Sequence, residues 1–384
     1  MAKRVYIGVG GKARKVKKIY IGVAGVARKV KKAYIGVGGV ARIFWIGGQI
    51  ESYGEVTALY RGVEYLTGNS IGSYALFAGG RRTTTSYVVD VNAYNESLTH
   101  TTPVNLSNAK GMVCTCKAGS YVLFGGGMDT NSTYATTVDA IDNSLTKTSA
   151  AACGSYCCWP ACANAGSSGI MGQSYAYGGK SAVYLYNSSL VQSTGSFSVG
   201  RGGIAGGSAG NYALFAGGYI SYTDEDKDDV YYNTADAFNS SLTRSAATGL
   251  SVARIETFAV NAGAYLLFAG GRNNNGMTRL STVDAYNSSL TRTTAASLPT
   301  ALYNKLMAGL TLEGKALLEA SNQMLIYDES LTQTILETFD SAYGTRSDAA
   351  AAVVGSYGLF AGGYGKMGGL SSNTRLDLVR AYTI

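Results

Sequence analysis

Histidine is nearly missing from this sequence: His100 is the single one among 384 residues. A lone imidazole on a strand beside a turn is a poor base for a serine triad, so hydrolysis of that type is not expected. Charged residues make up only 15%, low for a globular surface, so surface polarity must come from Ser, Thr, Asn and the 29 tyrosines. No run of about 18 apolar residues occurs, so no membrane span is expected. The basic N-terminus also lacks the continuous apolar core of a secretory signal. Acidic residues are absent from the first 45 positions, which carry twelve Lys or Arg and leave 20 basic against 24 acidic residues for the rest. Two parts of opposite charge imply two jobs.

Six cysteines fall in two clusters, Cys114 with Cys116 and then Cys153, Cys157, Cys158 and Cys162. None makes the spaced pairs of a zinc finger or ribbon. They are expected to be free, buried, small apolar residues, with no metal and no cofactor.

What the chain does have is repetition. Tyr94-Asn95-Glu96-Ser97-Leu98-Thr99 returns, with small changes, at Ile141, Tyr186, Phe238, Tyr286 and Tyr327. An apolar residue closes a strand, Asn or Asp bonds its own backbone two residues on, and Leu-Thr is expected to re-enter a strand. Repeated Asn-Ser-Ser also matches glycosylation sequons, but copies at one structural position are better explained by turn chemistry. Six copies of one turn announce a repeat architecture. The unit is laid out on a glycine at Gly72, Gly119, Gly166, Gly210, Gly263, Gly314 and Gly355, followed by a strand such as Tyr265-Leu266-Leu267-Phe268. Seven residues past it comes Gly-Gly in five units, and nine residues before it stands Lys110, Arg201, Arg254, Lys305 or Arg346. Each unit reads as four strands, the first of small residues suited to a crowded hub.

Gly-Gly, the basic residue before the first strand and the aromatic after the mid-unit strand resemble the kelch repeat over about 330 residues. Departures are Gln173-Ser174 and Ser321-Asn322 in place of Gly-Gly, and Val63 and Cys157 at the basic position. The resemblance implies an all-β, seven-bladed kelch-like β-propeller over residues 50–384. The last unit ends at Ile384 without a fourth strand, so a strand from residues 50–60 is expected to complete that blade. A copper enzyme on such a propeller would need two imidazoles, and the sialidase Asp-box is absent, so the chain is not expected to be an enzyme. The acidic run at residues 223–229 departs from a calcium loop, lacking its glycine and final Glu.

Residues 1–49 carry a second repeat of period 14. Tyr6, Tyr20 and Tyr34 each open Tyr-Ile-Gly-Val, and a glycine-rich pair precedes an Ala-Arg step at Arg14, Arg28 and Arg42. Short β-branched runs around a two-residue glycine turn signal hairpins, and one hairpin alone is marginal in water. An electrostatic arm for nucleic acid would need no such register. The order argues for docking, through these tyrosines and arginines, to other virion structural proteins or to sister chains in a homo-oligomer. The segment resembles short basic repeats that open some tail and other structural proteins of phages and prophages of Gram-positive bacteria.

The recurring Lys110, Arg201, Arg254, Lys305 and Arg346 have two readings: bonds to carbonyls of the neighbouring blade, or an anionic or polar ligand seat at a channel mouth. The loops between second and third strands share that face and supply Arg82, Tyr87, Tyr222, Arg272 and Asn274. Tyr, Ser, Asn, Gly and Arg make adaptable contact surfaces. The reading is a virion protein, assembled in the host cytoplasm, whose propeller binds a glycan or protein on a host surface. The alternative is a non-viral propeller scaffold whose arm binds nucleic acid or an anionic surface.

Overall fold

The structure, a computed structural model, describes residues 49–384 apart from 131–132, 159–160, 175–178, 223–227, 274–277, 304–306, 340–345 and 367–371. Before residue 49 it describes the backbone of six strands. Every regular element among the described residues is a β-strand, so no helix there is long and apolar enough to cross a membrane. Contacts divide the chain into residues 1–53 with 382–384, and residues 54–381.

In the first unit each 14-residue repeat is one hairpin. Tyr6–Val9 pairs with Lys12–Lys15, Tyr20–Val23 with Val26–Lys29, and Lys32–Val37 with Val40–Ile46. The turns bring Val9 opposite Lys12, Val23 opposite Val26 and Val37 opposite Val40. Each hairpin is a sheet of two strands only.

Seven four-stranded antiparallel sheets are arranged as the blades of a propeller. Blade five runs Phe258–Ala262, Tyr265–Ala269, Val283–Tyr286 and Arg292–Thr294. The other innermost strands are Thr67–Ile71, Cys114–Ala118, Cys162–Ala165, Ala205–Ala209, Met307–Leu312 and Ala350–Val354. In the seventh sheet these last residues are followed by Tyr357–Ala361 and Val379–Thr383, and the fourth strand in the order is Glu51–Val56. Second strands are buried along almost their whole length. They therefore read as continuous apolar runs rather than alternating ones. The cores lie between blades. Ala75, Phe77 and Tyr94 of blade one share a cluster with Ala352, Leu359 and Val379 of blade seven, so the ring of sheets meets itself.

Six of the seven inner turns place glycine first, with φ of 49–59°, the conformation a type II′ hairpin requires. The sixth turn is Glu313-Gly314, with φ of 50° and 77°, as in type I′, and its glycine therefore comes one residue late. Close approach adds a second reason for glycine. A Cβ at Gly119, Gly210 or Gly263 would lie within 2.6–2.7 Å of Ser188, Ser288 or Glu329, each on the outer turn of the next blade.

Those outer turns differ from the sequence expectation in one respect. Leu98, Leu145, Leu190, Leu242, Leu290 and Leu331 do not re-enter a strand but sit at φ of 58–62°. Each ends a three-residue loop, a type I turn followed by a left-handed residue, a place that usually takes glycine. Leucine is there because its side chain packs on the apolar cluster beneath it in all six blades. The Asn or Asp at the head of the loop holds the conformation. Asn287 Oδ1 accepts the amides of Ser289 and Thr291, both at 3.0 Å, and the other five turns repeat this pair of bonds.

Removing the carboxamide in Asn287→Ala is expected to cost about 1–2 kcal/mol in urea unfolding. Leu290→Gly, which relieves the backbone but empties the contact, is expected to be less destabilising than Leu290→Ala, which empties it and keeps the strain. A second expectation concerns pH. Three buried third-strand tyrosines hold bonds to incoming loops, Tyr94 to Thr57 O and Tyr286 to Thr248 O at 2.8 Å and Tyr186 to Ala151 O at 2.9 Å. Burial raises the phenol pKa of Tyr94, Tyr186, Tyr286 and Tyr327 above the ordinary 10. A folded-state pKa above the unfolded one gives stability that is complete below pH 10 and is lost as pH rises beyond it. The fall of Tm above pH 10 should be shallower in Tyr286→Phe than in the wild type.

Candidate functional site

Four of the five recurring basic residues, Lys110, Arg201, Arg254 and Arg346, are clamps that hold carbonyls of their own blade. Lys110, Arg201 and Arg254 are fully buried and Arg346 nearly so. Lys110 Nζ donates to the carbonyl oxygens of Phe124 and Thr137 at 3.2 and 2.9 Å and lies 3.6 Å from Asp139. Arg201 pairs with Asp236 at 3.0 Å, and Arg254 with Asp284 at 2.8 Å. Asp284 also receives Arg292 from the outer strand at 2.9 Å and the amide and hydroxyl of Ser251 at 3.1 and 3.0 Å. Burial pulls the pKa of Lys110, Arg201 and Arg254 down, while the nearby carboxylate pulls it back up. Two corrections follow. The carbonyls held belong to the residue's own blade, not the neighbour, and buried side chains do not form a seat at the mouth.

The repeats exchange both partners of this pair together. In blade one Val63 stands at the basic position and packs in an apolar cluster, and Asn92, at the acid position, accepts from the Tyr60 amide and His100 Nε2, both at 2.9 Å. Cys157 shares a cluster with Tyr184. In blade six the position belongs to Leu302, which shares a cluster with Leu325. The sequence spacing places Lys305 there, whereas Gly271 N donates to Leu302 O as Gly218 N does to Arg254 O. Leu302 stands twelve residues before Gly314 where the other positions stand nine before their glycine, because the glycine comes one residue late and two further residues lie between the position and the turn; Lys305 itself lies outside the described residues. Blade seven has Arg380 where the acid stands, and Arg346 takes Glu319 of blade six instead, at 2.7 and 2.6 Å. A buried charge without its partner is costly, so an apolar or polar pair replaces the ion pair as a unit.

Two residues after the basic position the backbone turns left-handed. Tyr65, Met112, Gly203, Glu256 and Asp348 have φ of 54–67°, and four of the five are not glycine. The amide of Tyr65 donates to Asp348 O at 3.0 Å, Met112 to Tyr65 O at 2.9 Å, and Glu256 to Gly203 O at 3.0 Å. These bonds join neighbouring blades head to tail around one end of the axis. Nothing in the sequence marks this ring, because no residue type is shared.

Arginine, tyrosine and carboxylate surround that end. Glu64 binds Arg81 at 3.0 Å and Arg375, from the loop of blade seven, at 2.8 Å. Arg272 makes a two-point pair with Glu256 at 2.8 and 2.7 Å and lies 5.4 Å from the ring centre of Tyr303. Of the loop residues expected to bind ligand, Arg82 is exposed and Tyr222 is 40% exposed. Tyr87 is half-buried beside Gly111, Arg272 is tied to Glu256, and Asn274 lies outside the described residues. Three of these loops project as small ladders, Tyr219–Ile220 with Val230–Tyr231, Arg272–Asn273 with Thr278–Arg279, and Tyr364–Gly365 with Thr374–Arg375. In the first, the rings of Tyr219 and Tyr231 stack at 5.7 Å. Of the acidic run, residues 223–227 lie outside the described residues.

Along the axis runs a cavity of about 560 Å³, within the usual range for small-molecule sites. Its wall is made by the innermost strands. Their free edges are tied blade to blade by side chains: Asn69 to Thr115 at 3.0 Å, Asn164 to Lys117 O, Asn261 to Ser208 O at 2.7 Å, and Thr311 to Asn261 O at 2.7 Å. The Ser70 hydroxyl accepts the Val353 amide at 2.8 Å and joins blades one and seven. This belt gives unpaired edge amides and carbonyls their partners.

The remaining expected residues sort simply. The six cysteines are free, five of them buried, and burial pushes the Cys116 and Cys158 thiols up, the latter to about 12. His100 bonds Asn92 and lies 4.9 Å from the Tyr94 ring, as a strand residue would. In the hairpins, Arg14, Arg28 and Arg42 stand opposite Ile7, Ile21 and Ile35, while Tyr6 and Tyr20 stand opposite Lys15 and Lys29, and Tyr34 opposite Ile43.

The class is thus defined: a seven-bladed β-propeller preceded by three β-hairpins. No protein-family model matches the chain, and no curated protein matches it.

Replacing Arg254 with Met, which leaves Asp284 short of a buried partner, is expected to cost about 3–5 kcal/mol in urea unfolding. The double change Arg254→Leu with Asp284→Leu imitates blade six and is expected to recover most of that loss.

Proposed function

We propose that this chain is a structural protein of a phage or prophage particle, with a kelch-like propeller as its exposed, non-enzymatic head and the basic hairpins as its anchor. The head binds a glycan or protein on the host surface, and the hairpins dock on other virion proteins. The observation that carries the reading is the division of labour in the propeller. Repeated clamps, turns and inter-blade bonds fix the frame, while loops rich in Tyr, Arg, Ser and Asn differ from blade to blade around one end of the axis. Surface loops on a rigid scaffold are where binding residues concentrate, and that composition suits adaptable recognition. The anchor rests on the +12 charge and strict 14-residue order of the first 45 residues, and on their resemblance to the basic repeats of phage structural proteins.

The test compares the full chain with one lacking residues 1–45 by size-exclusion chromatography with light scattering and by co-sedimentation with particles. Assembly or particle association of the full chain alone is the expected result. If both are identical monomers and only the full chain shifts with DNA at low salt, the arm is electrostatic and the scaffold alternative takes over.

A further inference from the structure

We infer that the axial cavity is itself a saccharide site, taking one or two neutral sugar residues from the end of a glycan. This rests on the reading of the propeller as a binding head and names the place and chemistry of recognition. Four observations carry it. First, the cavity's 560 Å³ is that of a small-molecule site rather than of a packed hub.

Second, its wall is amphipathic. Phe258, Met307 and the small Ala349–Ala352 run give it apolar surface, while Asn69, Thr115 and Thr311 present hydroxyl and amide groups. The hydroxyl of Thr115, which accepts from Asn69 Nδ2, retains its own proton to donate, and Asn69 retains a second amide proton. A pyranose offers the complement, an apolar C–H face and a ring of hydroxyls that both donate and accept.

Third, three residues lining one end, Tyr65, Met112 and Asp348, are held at φ of 56–57°. The equivalent place in blade four is Gly203, which adopts that backbone freely. The head-to-tail amide bonds explain the backbone but do not require a side chain. Tyr, Met and Asp at a backbone conformation that disfavours them point to a use for those side chains. Asp348 is positioned by the Ser347 hydroxyl at 2.8 Å, and Tyr65 by the guanidinium of Arg81, 4.7 Å from its ring centre.

Fourth, charge near that end is balanced. Arg81 and Arg375 on Glu64 leave one positive charge, Arg272 and Glu256 cancel, and the Asp348 carboxylate offsets the remainder, which leaves a field suited to an uncharged ligand rather than to an acidic sugar.

Wild-type chain carrying ¹³C-methyl methionine separates the channel from the loops. Met112 and Met307 line the cavity, Met128 lies in a loop ladder, and Met324 is buried in a third strand. The chain is titrated with glucose, galactose, N-acetylglucosamine, lactose and maltose, and separately tested as a labelled protein for binding to a panel of Gram-positive bacterial cells. The expected result is that at least one sugar shifts the Met112 and Met307 methyls and leaves Met324 in place. Tyr65→Asn and Asp348→Asn, both tolerant of left-handed backbone, should keep or raise Tm and weaken that sugar by at least tenfold. Shifts confined to Met128, or equal affinity in both variants, would place the sugar on the loops and overturn the channel site while the binding head stands. No response to any sugar overturns the inference, and the cell assay then decides separately whether the head reading survives.

Discussion

The structure depends on how closely neighbouring blades approach at the inner end of each Gly-Gly pair. The amide of the second glycine, in Gly80, Gly127, Gly218, Gly271 and Gly363, donates to a carbonyl of the following blade at 2.7–2.9 Å. At the first glycine of four of the pairs, Gly79, Gly126, Gly217 and Gly270, a Cβ would lie within 2.4 Å of that same carbonyl oxygen. Both glycines have positive φ. One bond thus fixes the blade spacing, forbids a side chain and sets the start of each loop. Where the loop shrinks to the two-residue Ser321-Asn322 turn of blade six, the pair has no such work and disappears.

Around this contact the chain uses two exchangeable ways of filling one space. Blades two, four and five place an acid and a base there, with serine and an outer-strand cation completing the carboxylate's bonds. Blade six places two leucines, and blade three a cysteine and a tyrosine. The exchange is possible because a fully paired buried charge and a packed apolar pair of similar size differ little in net stability, whereas either half alone is destabilising. Blade seven borrows its carboxylate from blade six, and the buried Arg346–Glu319 pair crosses a junction at which the belt of inner-strand side chains shows no bond among the described residues.

The same economy separates frame from function. Bonds that recur in most blades lie between the sheets or on the outer turns. The residues that do not recur gather at one end of the axis, in Tyr65, Met112, Glu256 and Asp348 and in the loops above them. Rigid repetition holds the varied side chains at fixed positions without constraining what they are, which is the property a recognition surface needs.

Sequence alone determined the repeat, the strand order within a blade, the number of blades and the hairpins of the arm. Each of these is local: turn chemistry at Asn287 or Gly263 acts within a few residues, and hydrophobic runs such as Tyr265–Ala269 declare their burial directly. It also located the basic position in four blades, but not what those residues do. Whether Arg254 faces solvent or Asp284 depends on a partner 30 residues away, and the sequence carries no sign of which way a side chain turns. Leucine's own preference predicts strand at the left-handed Leu290, and only packing on the cluster beneath it reverses that preference. The ring of Tyr65, Met112, Gly203, Glu256 and Asp348 was invisible for the same reason. It is defined by backbone bonds between blades, and such bonds are indifferent to the residue type that makes them.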